Sequence, residues 1–261
     1  MASASSTTAT TTYLRYEHNN KSSFGILIGD TIEELNGDIL ENPKPTGKKI
    51  KLNDVKILTP IEPSKVIAVG LNYKSHIGDR SPLEYPGLFT KFPTSLIAHE
   101  ENIIAPKDST NLHYEGEMVL VIGKKASKVS VEEAKDYVFG ISIGNDVSER
   151  GWQRSDLQWF RAKGSDTFGP IGPYIVTGLD PDNLLLETRV NGEIRQSSNT
   201  DLLIFNVATI VSYISQFVTL LPGDIIYSGT PGTTKAIVPG DIVEISLEGV
   251  GVLRNGVVKE K

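Results

Sequence analysis

Cysteine is absent from the 261-residue chain, which excludes disulfides, thiolate catalysis and cysteine-ligated zinc or iron–sulfur sites. No run of about 18 apolar residues is present either, so we predict no membrane-spanning helix. Basic residues are the minority charge, with 26 Lys and Arg against 32 Asp and Glu, for a net charge of −6. This balance, without a long basic run, argues against nucleic acid or an anionic membrane surface as the main partner.

The composition is otherwise that of a folded globular protein. Hydrophobic residues make up 39% of the chain and charged residues 22%. A chain of this length can bury a substantial core without disulfide or metal cross-links. Its length predicts one large domain or two modest ones.

The N-terminal part divides into a polar tail and a small β-rich unit. After Met1, residues 1–12 contain only Ser, Thr and Ala, which predicts a disordered tail. Short apolar runs between residues 13 and 60, with a Gly29-Asp30 hairpin signal, predict a small N-terminal β domain. The tail lacks the Arg-rich pattern of a transit peptide. We therefore expect a cytoplasmic protein, with an organelle matrix such as the mitochondrion as the alternative.

Residues 64–261 have the pattern of a single, strand-rich domain. Apolar runs within residues 65–70, 117–122 and 138–143 predict buried strands, and the run in 117–122 is continuous from Met118 to Ile122. Residues 206–220 carry apolar side chains at helical spacing and form the clearest predicted helix. We therefore predict a mixed α/β fold dominated by β-structure.

Three acidic residues form the first candidate site. Glu115 and Glu117 flank Gly116 at the start of a predicted strand, so their side chains project from one face. Asp146 follows the next apolar strand, at the point where the chain leaves the core. An all-oxygen set of this kind suits a hard divalent cation. The sequence equally allows Glu115 and Glu117 to lie at a solvated strand end and Asp146 to lie in a turn.

A histidine and two groups of polar residues supply further candidates. His76 and Asp79 are three residues apart, so a helix would place the carboxylate where it orients the imidazole as a general base. The alternative is an incidental histidine in a lid-like loop that Gly78 makes flexible. Arg150 and Gln153 would share one helix face, where an arginine suits a substrate carboxylate or carbonyl oxygen. A surface salt bridge is the alternative for that arginine.

Two loops contribute the remaining candidates. Lys163 lies in a glycine- and proline-rich loop, where its ammonium could offset the charge of an enolate. Thr230 lies in a turn after a strand, where its hydroxyl and the backbone N–H groups could hold a carboxylate. The glycines of this turn do not form a phosphate-binding motif.

Together these segments resemble the fumarylacetoacetate hydrolase family, in particular its shorter acylpyruvase-like and isomerase-like branch. The resemblance covers about residues 64 to 256 and consists of six motifs in order. They are Gly70-Leu71-Asn72-Tyr73 with His76; Tyr114-Glu115-Gly116-Glu117; Gly144-Asn145-Asp146-Val147-Ser148; residues 163–173; residues 190–193 with Gln196 and Asn199-Thr200; and residues 221–224 through Gly229-Thr230-Pro231.

The resemblance implies a fold, an assembly and roles for the candidate residues. The family fold is a β-roll with a small N-terminal β domain, and a homodimer is expected. By this resemblance the site residues are the ligands of Mg²⁺ or Mn²⁺ (Glu115, Glu117 and Asp146), the lid dyad that positions or activates water (His76 and Asp79), the lining of the metal and substrate pocket (Arg150, Gln153 and Lys163), the substrate-carboxylate contact (Thr230) and, from the first motif, Tyr73 as a substrate-binding candidate.

The sequence departs from the family pattern at two places. Asp79 stands where the dyad usually has Glu, and its side chain is one methylene shorter, which puts its reach to His76 in doubt. After residues 229–231 the chain continues as Gly232-Thr233-Thr234-Lys235 instead of the frequent Gly-Val-Gly, which alters the pocket rim.

The resemblance implies metal-dependent hydrolysis of a C–C bond in a 3-acylpyruvate-like 2-oxo acid. In this hypothesis His76 activates the attacking water, and the metal and Lys163 stabilise the pyruvate enolate that is left. The alternative on the same metal site is an oxaloacetate tautomerase or decarboxylase, or a related isomerase or dehydratase. A non-catalytic scaffold of the same fold is the other class, and the presence of all three acidic ligands argues against it.

Overall fold

The computed structural model describes residues 9–261, so most of the predicted tail lies outside the described residues. The last two residues of that predicted tail, Thr11 and Thr12, begin the first strand. The β-structure of the N-terminal unit therefore starts two residues before residue 13, the predicted start.

Between residues 9 and 261 the chain forms nineteen strands and four α-helices. The strands are β1 Thr11–His18, β2 Lys21–Ile28, β3 Thr31–Leu35, β4 Pro45–Lys51, β5 Lys56–Ile57, β6 Val66–Gly70, β7 Gly87–Lys91, β8 Leu96–Ile97, β9 Ile103–Ala105, β10 Leu112–His113, β11 Gly116–Ile122, β12 Val138–Asn145, β13 Ser148–Glu149, β14 Gly169–Thr177, β15 Leu185–Val190, β16 Glu193–Asn199, β17 Ile225–Tyr227, β18 Ile242–Leu247 and β19 Gly251–Lys259. The helices are α1 Lys74–Ile77, α2 Arg150–Ser155, α3 Phe160–Gly164 and α4 Val207–Phe217, and single 3₁₀ turns lie at Ile39–Glu41, Leu52–Asp54, Pro93–Ser95, Ala134–Tyr137 and Thr200–Leu202. The predicted β-dominated mixed fold is confirmed.

A 12-stranded sheet forms the larger part of the molecule. Its strand order is β4-β3-β2-β1-β14-β12-β11-β17-β6-β7, with β5 also paired to β1 and β8 to β14. The N-terminal strands enter this sheet where β1 pairs antiparallel with β14, with Thr11 opposite Thr177. The predicted boundary between residues 60 and 64 therefore does not separate two sheets.

A second, five-stranded sheet in the order β16-β15-β18-β19-β9 packs on one face of the first sheet. Met118, Leu120 and Ile122 of β11 face this second sheet and α4, whereas Val119 and Val121 face a separate apolar cluster on the other side. Both faces of β11 are thus covered, which explains why its sequence is apolar throughout rather than alternating. Burying each such side chain contributes about 1.5–3 kcal/mol to folding.

Helix α4 is shorter than the sequence pattern predicts. Asn206 caps its N-terminus by accepting a hydrogen bond from the Thr209 amide at 2.9 Å. The helix ends at Phe217, because Val218 adopts an extended conformation that leads towards the next strand. No helix in residues 9–261 is long and apolar enough to cross a membrane.

Candidate active site

The three predicted acidic residues meet at one end of the β11–β12 pair. These strands are antiparallel with Gly116 opposite Asn145, so the start of β11 lies beside the end of β12. Glu115 immediately precedes β11, Glu117 lies within it, and Asp146 immediately follows β12. One carboxylate oxygen from each residue lies within 4.8 Å of the others, and all three residues are buried. The pairing of two strands therefore brings together acids that are about 30 residues apart.

Gly116 is required between the two glutamates because the second sheet packs directly against it. A Cβ atom at this position would lie 2.1 Å from Thr188 Oγ1 and 3.2 Å from Gln196 Oε1. The absence of a side chain at this position allows close packing on the face opposite the carboxylates. The close approach holds Glu115 and Glu117 on the open face of the strand.

Buried cations surround the acids. Lys163 Nζ lies 2.6 Å from Glu115 Oε2 and 2.5 Å from Asp146 Oδ2, and Lys91 Nζ lies 2.6 Å from Asp146 Oδ1. Arg150 donates to the other oxygen of Glu115. Two of the three carboxylates, those of Glu115 and Asp146, therefore pair with three cations. Lys91 also donates a hydrogen bond to the Lys163 carbonyl oxygen, which links the two lysines.

The surroundings shift the pKa values of the two glutamates in opposite directions. Burial raises the pKa of Glu115, but Lys163, Arg150 and His76 outweigh this effect and hold it well below its usual range. Burial together with the negative charges of Asp146 and Glu115 raises the pKa of Glu117 well above its ordinary value. Burial lowers the pKa of Lys163, but Asp146 and Glu115 outweigh it, so the net shift is upward and this residue stays an ammonium.

The donor set fits a hard divalent cation. In residues 9–261, Glu117 forms no ion pair and accepts a hydrogen bond only from the Gly229 amide, at 2.8 Å. Burial and the negative charges of Asp146 and Glu115, which no cation bound to Glu117 offsets, are the causes of its raised pKa. The three buried carboxylates provide the oxygen ligands that Mg²⁺ and Mn²⁺ prefer, and one of them, Glu117, has no cationic side chain as a partner.

His76 lies at the opening of the site, but the predicted contact with Asp79 is not formed. Its Nδ1 atom lies 2.6 Å from the Gly232 carbonyl oxygen, and its Nε2 atom lies 3.9 Å from Glu115 Oε1. Asp79 is exposed and makes no hydrogen bond with His76 in the part of the chain that the structure describes. Helix α1 ends at Ile77, and Gly78 takes a φ of +62°, so the chain turns away before a helical i, i+3 pair can form.

Arg150 and Gln153 lie on α2 and contact each other. Arg150 donates to Gln153 Oε1 at 2.8 Å and to Thr234 Oγ1 at 2.9 Å, in addition to its contact with Glu115. Both residues, with His76 and Lys163, line a narrow cleft of about 30 Å³ over the carboxylates. The structure therefore places the Arg–Gln pair where a ligand at the carboxylates would meet it.

Thr230 and Tyr73 have surroundings that differ from the expectation. Thr230 lines the cleft, but its hydroxyl donates to the Gly116 carbonyl at 2.9 Å and accepts from Gln196 at 2.8 Å. This hydroxyl is therefore occupied by the protein itself. Tyr73 is buried in the main core and does not line the cleft; burial and the charge of Glu117 raise its pKa.

Lys91 is a side chain of the candidate site that the sequence interpretation missed. It ends β7, where residues 87, 89 and 91 point inwards and the residues between them are exposed. A charged residue in register with the inward-facing Phe89 is the signal that could have identified it, because a buried lysine requires a paired carboxylate. That carboxylate, Asp146, lies 55 residues further along the chain.

Comparison with known proteins identifies the family. A model of the C-terminal domain of fumarylacetoacetate (FAA) hydrolase matches residues 65–258, and an Rv2993c-like N-terminal model matches residues 12–60. The chain belongs to the fumarylacetoacetate hydrolase family. Members of this family are enzymes and typically use a divalent metal.

Three similar proteins illustrate the range of reactions. The mitochondrial oxaloacetate tautomerase Fahd2a of Rattus norvegicus is 41% identical over 223 residues, which cover 80% of this chain and 71% of that protein. The structure of 5-carboxymethyl-2-hydroxymuconate delta-isomerase from Mycobacterium smegmatis is 43% identical, with a TM-score of 0.91 and 95% and 100% of the two chains covered. The structure of maleylpyruvate hydrolase from Sphingobium sp. SYK-6, in complex with manganese(II) and pyruvate, is 28% identical, with a TM-score of 0.81 and 96% and 100% covered.

Proposed function

We propose that this protein is a divalent-metal-dependent enzyme that moves a proton at the carbon next to the carbonyl of a 2-oxo acid. Keto–enol tautomerisation of oxaloacetate, or isomerisation of a related 2-oxo acid, is the reaction that the site geometry supports best. The observation that carries this proposal is the orientation of His76 above the three carboxylates. The similarity to a tautomerase at 41% identity and to an isomerase at 43% identity supports it.

The imidazole of His76 is held in the tautomer that a base requires. A carbonyl oxygen only accepts hydrogen bonds, so the 2.6 Å contact with Gly232 places the ring proton on Nδ1. The lone pair of a neutral ring is then on Nε2, which is the atom on the side of Glu115. In this tautomer Nε2 is the ring atom that can accept a proton from a carbon acid in the cleft.

The remaining side chains bind and orient the substrate. When bound at Glu115, Glu117 and Asp146, Mg²⁺ or Mn²⁺ would supply a Lewis acid for the carboxylate and neighbouring carbonyl of the 2-oxo acid. Lys163 retains its proton and donates hydrogen bonds to an oxygen that becomes negative when the carbon proton leaves. Arg150 and Gln153 offer N–H groups to the substrate carboxylate at the wall of the cleft.

Hydrolysis of a C–C bond in a 3-acylpyruvate is the second candidate. The similarity to a hydrolase whose structure holds manganese(II) and pyruvate favours it, since pyruvate is one product of such a cleavage. For this reaction His76 would deprotonate water instead of a carbon acid. The missing contact between His76 and Asp79 applies to both candidates alike, because both use His76 as the base, so the reaction products distinguish them.

Exchange of hydrogen for deuterium tests the proposal directly. Oxaloacetate, acetylpyruvate and fumarylpyruvate are each incubated in D₂O with the Mn²⁺-loaded protein, with the protein in EDTA, and with His76→Gln. We expect metal-dependent deuterium incorporation at carbon 3 and its loss in the variant. Release of an organic acid and pyruvate faster than exchange would replace the proposal with the second candidate. Release of pyruvate and CO₂ would indicate decarboxylation, and no exchange with Mn²⁺ present would refute the proposal.

Two further predictions accompany the function. We expect a homodimer, which the native mass in solution would test. We also expect a cytoplasmic or mitochondrial location, and the similarity to the mitochondrial oxaloacetate tautomerase of rat supports the second alternative. Localisation of the tagged full-length chain would distinguish the two compartments.

A further inference from the structure

The segment 229–232 touches both halves of the candidate site. At one end the Gly229 amide donates to Glu117 Oε2 at 2.8 Å, and at the other end the Gly232 carbonyl oxygen accepts from His76 Nδ1 at 2.6 Å. The Gly232 amide also donates to Ser75 Oγ at 3.0 Å. The place of this segment therefore sets how the imidazole lies relative to the carboxylates.

Side-chain contacts hold this segment in place. It follows β17, and its two glycines take φ values of +109° and +65°, which lie outside the extended region of a strand. Thr230 donates to the Gly116 carbonyl oxygen at 2.9 Å, which joins the segment to the start of β11. A second side chain, which comes from the other sheet, completes the attachment.

That side chain is Gln196 of β16. Its Nε2 atom donates to the Pro231 carbonyl oxygen at 2.6 Å and to Thr230 Oγ1 at 2.8 Å, and its Oε1 atom accepts from the Gly116 amide at 3.1 Å. The residue is buried, so these contacts are shielded from water. Gln196 thus joins the second sheet both to the backbone between the two glutamates and to the segment that holds His76.

Thr188 provides an internal comparison. It lies opposite Gln196 in the pairing of β15 with β16, and both side chains are buried beside Gly116. The Thr188 hydroxyl has no hydrogen-bond partner among the described residues. The two neighbours of this glycine therefore differ in that Gln196 is hydrogen-bonded to the 229–232 segment and Thr188 is not.

We infer that Gln196 is a positioning residue for the base, because it holds the 229–232 segment where the Gly232 carbonyl fixes the tautomer of His76. Both N–H groups of its amide are used on this segment. An apolar side chain in its place would leave the Pro231 carbonyl oxygen and the Gly116 amide without these partners, so the segment would shift.

The consequence for His76 follows from the two tautomers of imidazole. Which ring nitrogen carries the proton is set by the hydrogen bonds of the ring. A displaced Gly232 carbonyl would therefore release the ring into a mixture of tautomers, and the form with the proton on Nε2 cannot accept a proton there. The effect on the imidazole is a property of the chain alone, whereas the effect on the reaction rate rests on the proposed function.

The tautomer of His76 tests the inference without metal or substrate. The ¹⁵N chemical shifts of a neutral imidazole distinguish the two tautomers, and the spectrum of His76→Gln identifies this ring among the four histidines of the chain. Spectra are recorded in EDTA for the full-length wild type, Gln196→Met and Thr188→Ala. We expect the Nδ1–H form in the wild type and in Thr188→Ala, and a mixture of both forms in Gln196→Met. The same tautomer in all three proteins would overturn the inference.

The rate of deuterium exchange at carbon 3 of oxaloacetate provides the second measurement. At saturating Mn²⁺ and substrate, Gln196→Met should lower this rate by about 10- to 100-fold, because a small displacement of a catalytic group has an effect of this size. The dissociation constant of Mn²⁺ should change much less, since the pairing of β11 with β12 holds the acids in place. A loss of rate that is explained by weaker Mn²⁺ binding alone would assign Gln196 to the metal ligands and would refute its role towards His76.

Thr188→Ala is the matched control, because it also removes a buried side chain beside Gly116. Its exchange rate should stay at the wild-type value, and a loss equal to that of Gln196→Met would show that packing, not the amide of Gln196, is responsible. If the wild type catalyses no exchange, the proposed function fails, and the tautomer measurement still decides the role of Gln196.

Gln196→Asn covers the case in which Gln196→Met does not fold. Its amide is one methylene shorter, so it can stay hydrogen-bonded to Gly116 or to Pro231 but cannot keep both contacts. We expect the same changes in tautomer and rate, to a smaller extent. A wild-type tautomer together with a wild-type rate in this variant would contradict the inference.

Discussion

His76 Nδ1 lies 2.6 Å from the carbonyl oxygen of Gly232, in the place where a carboxylate from Asp79 was expected. A carbonyl fixes the ring orientation and the tautomer, as a carboxylate would. The site therefore has an imidazole whose orientation and tautomer do not depend on Asp79.

The first prediction separates His76 from Asp79. We expect His76→Gln to lower the rate of metal-dependent proton exchange at carbon 3 of oxaloacetate by about 100-fold, the usual contribution of a general base. Asp79→Asn, at an exposed position, should change this rate less than about twofold. The rates are measured at saturating substrate and Mn²⁺. A loss in Asp79→Asn that approaches that of His76→Gln would show that the segment closes and that the predicted dyad forms during turnover.

The second prediction concerns the buried pair between Lys91 and Asp146. Lys91→Met replaces the ammonium with an apolar side chain and leaves Asp146 Oδ1 without its 2.6 Å partner. Breaking one side of a buried pair costs about 3–5 kcal/mol, so we expect a loss of this size in the free energy of unfolding in EDTA. Mn²⁺ should recover part of the loss, because the cation compensates the same carboxylate.

The control for this pair is Lys51→Met. Lys51 pairs with Asp30 at 3.0 Å, but both side chains are more than half exposed, so the change should be within about 1 kcal/mol. Denaturant unfolding with and without Mn²⁺ measures all four values. Equal, small effects of the two substitutions would contradict the structural role of Lys91.

The acidic site could be predicted because its geometry is local. Glu115 and Glu117 are two residues apart on a strand, and alternation alone places them on one face. Asp146 follows the next predicted strand along the chain, and sequential strands often pair. One antiparallel pairing was therefore enough to bring the three acids together.

The contacts that the sequence did not predict are those between distant segments. Gly232 lies 156 residues from His76, and Lys91 lies 55 residues from Asp146. Residues this far apart in the sequence are not related by helix or strand periodicity, so neither contact could be predicted from the sequence pattern. The i, i+3 pattern of His76 and Asp79 was local, but it assumed a helix that Gly78 ends. The strands of the N-terminal unit could be predicted, whereas their entry into the main sheet depends on the pairing of β1 with β14.

The third prediction tests the packing behind the glutamates. Gly116→Ala places a Cβ atom 2.1 Å from Thr188 Oγ1, so the strand must shift and carry Glu115 and Glu117 with it. We expect weaker Mn²⁺ binding and a loss of about 1–3 kcal/mol in stability. Thr188→Ala removes the clashing oxygen, which has no hydrogen-bond partner among the described residues.

The double variant Gly116→Ala/Thr188→Ala should therefore recover part of both losses. Thr188→Ala alone serves as the control and should bind Mn²⁺ as the wild type does. Calorimetric titration with Mn²⁺ and thermal unfolding in EDTA provide the two measurements. If the losses of the two single variants simply add in the double variant, the clash is not their cause.

The last prediction follows from the raised pKa of Glu117. In the metal-free protein the folded chain keeps this proton at pH values where the unfolded chain, with a pKa near 4.5, has lost it. The folded state then binds more protons than the unfolded state, so the contribution of Glu117 to stability is full below pH 4.5 and decreases as pH rises through the raised pKa. A divalent cation needs the ionised carboxylate, so its binding must expel the proton, and its apparent affinity must rise with pH over the same window.

Calorimetric titration of Mn²⁺ in two buffers of different ionisation enthalpy measures the released proton. Glu117→Gln imitates the protonated acid, so it should release fewer protons when Mn²⁺ binds, and it should bind Mn²⁺ more weakly. The stability of this variant in EDTA should also vary less with pH. The same proton release in both proteins would show that another group supplies the proton.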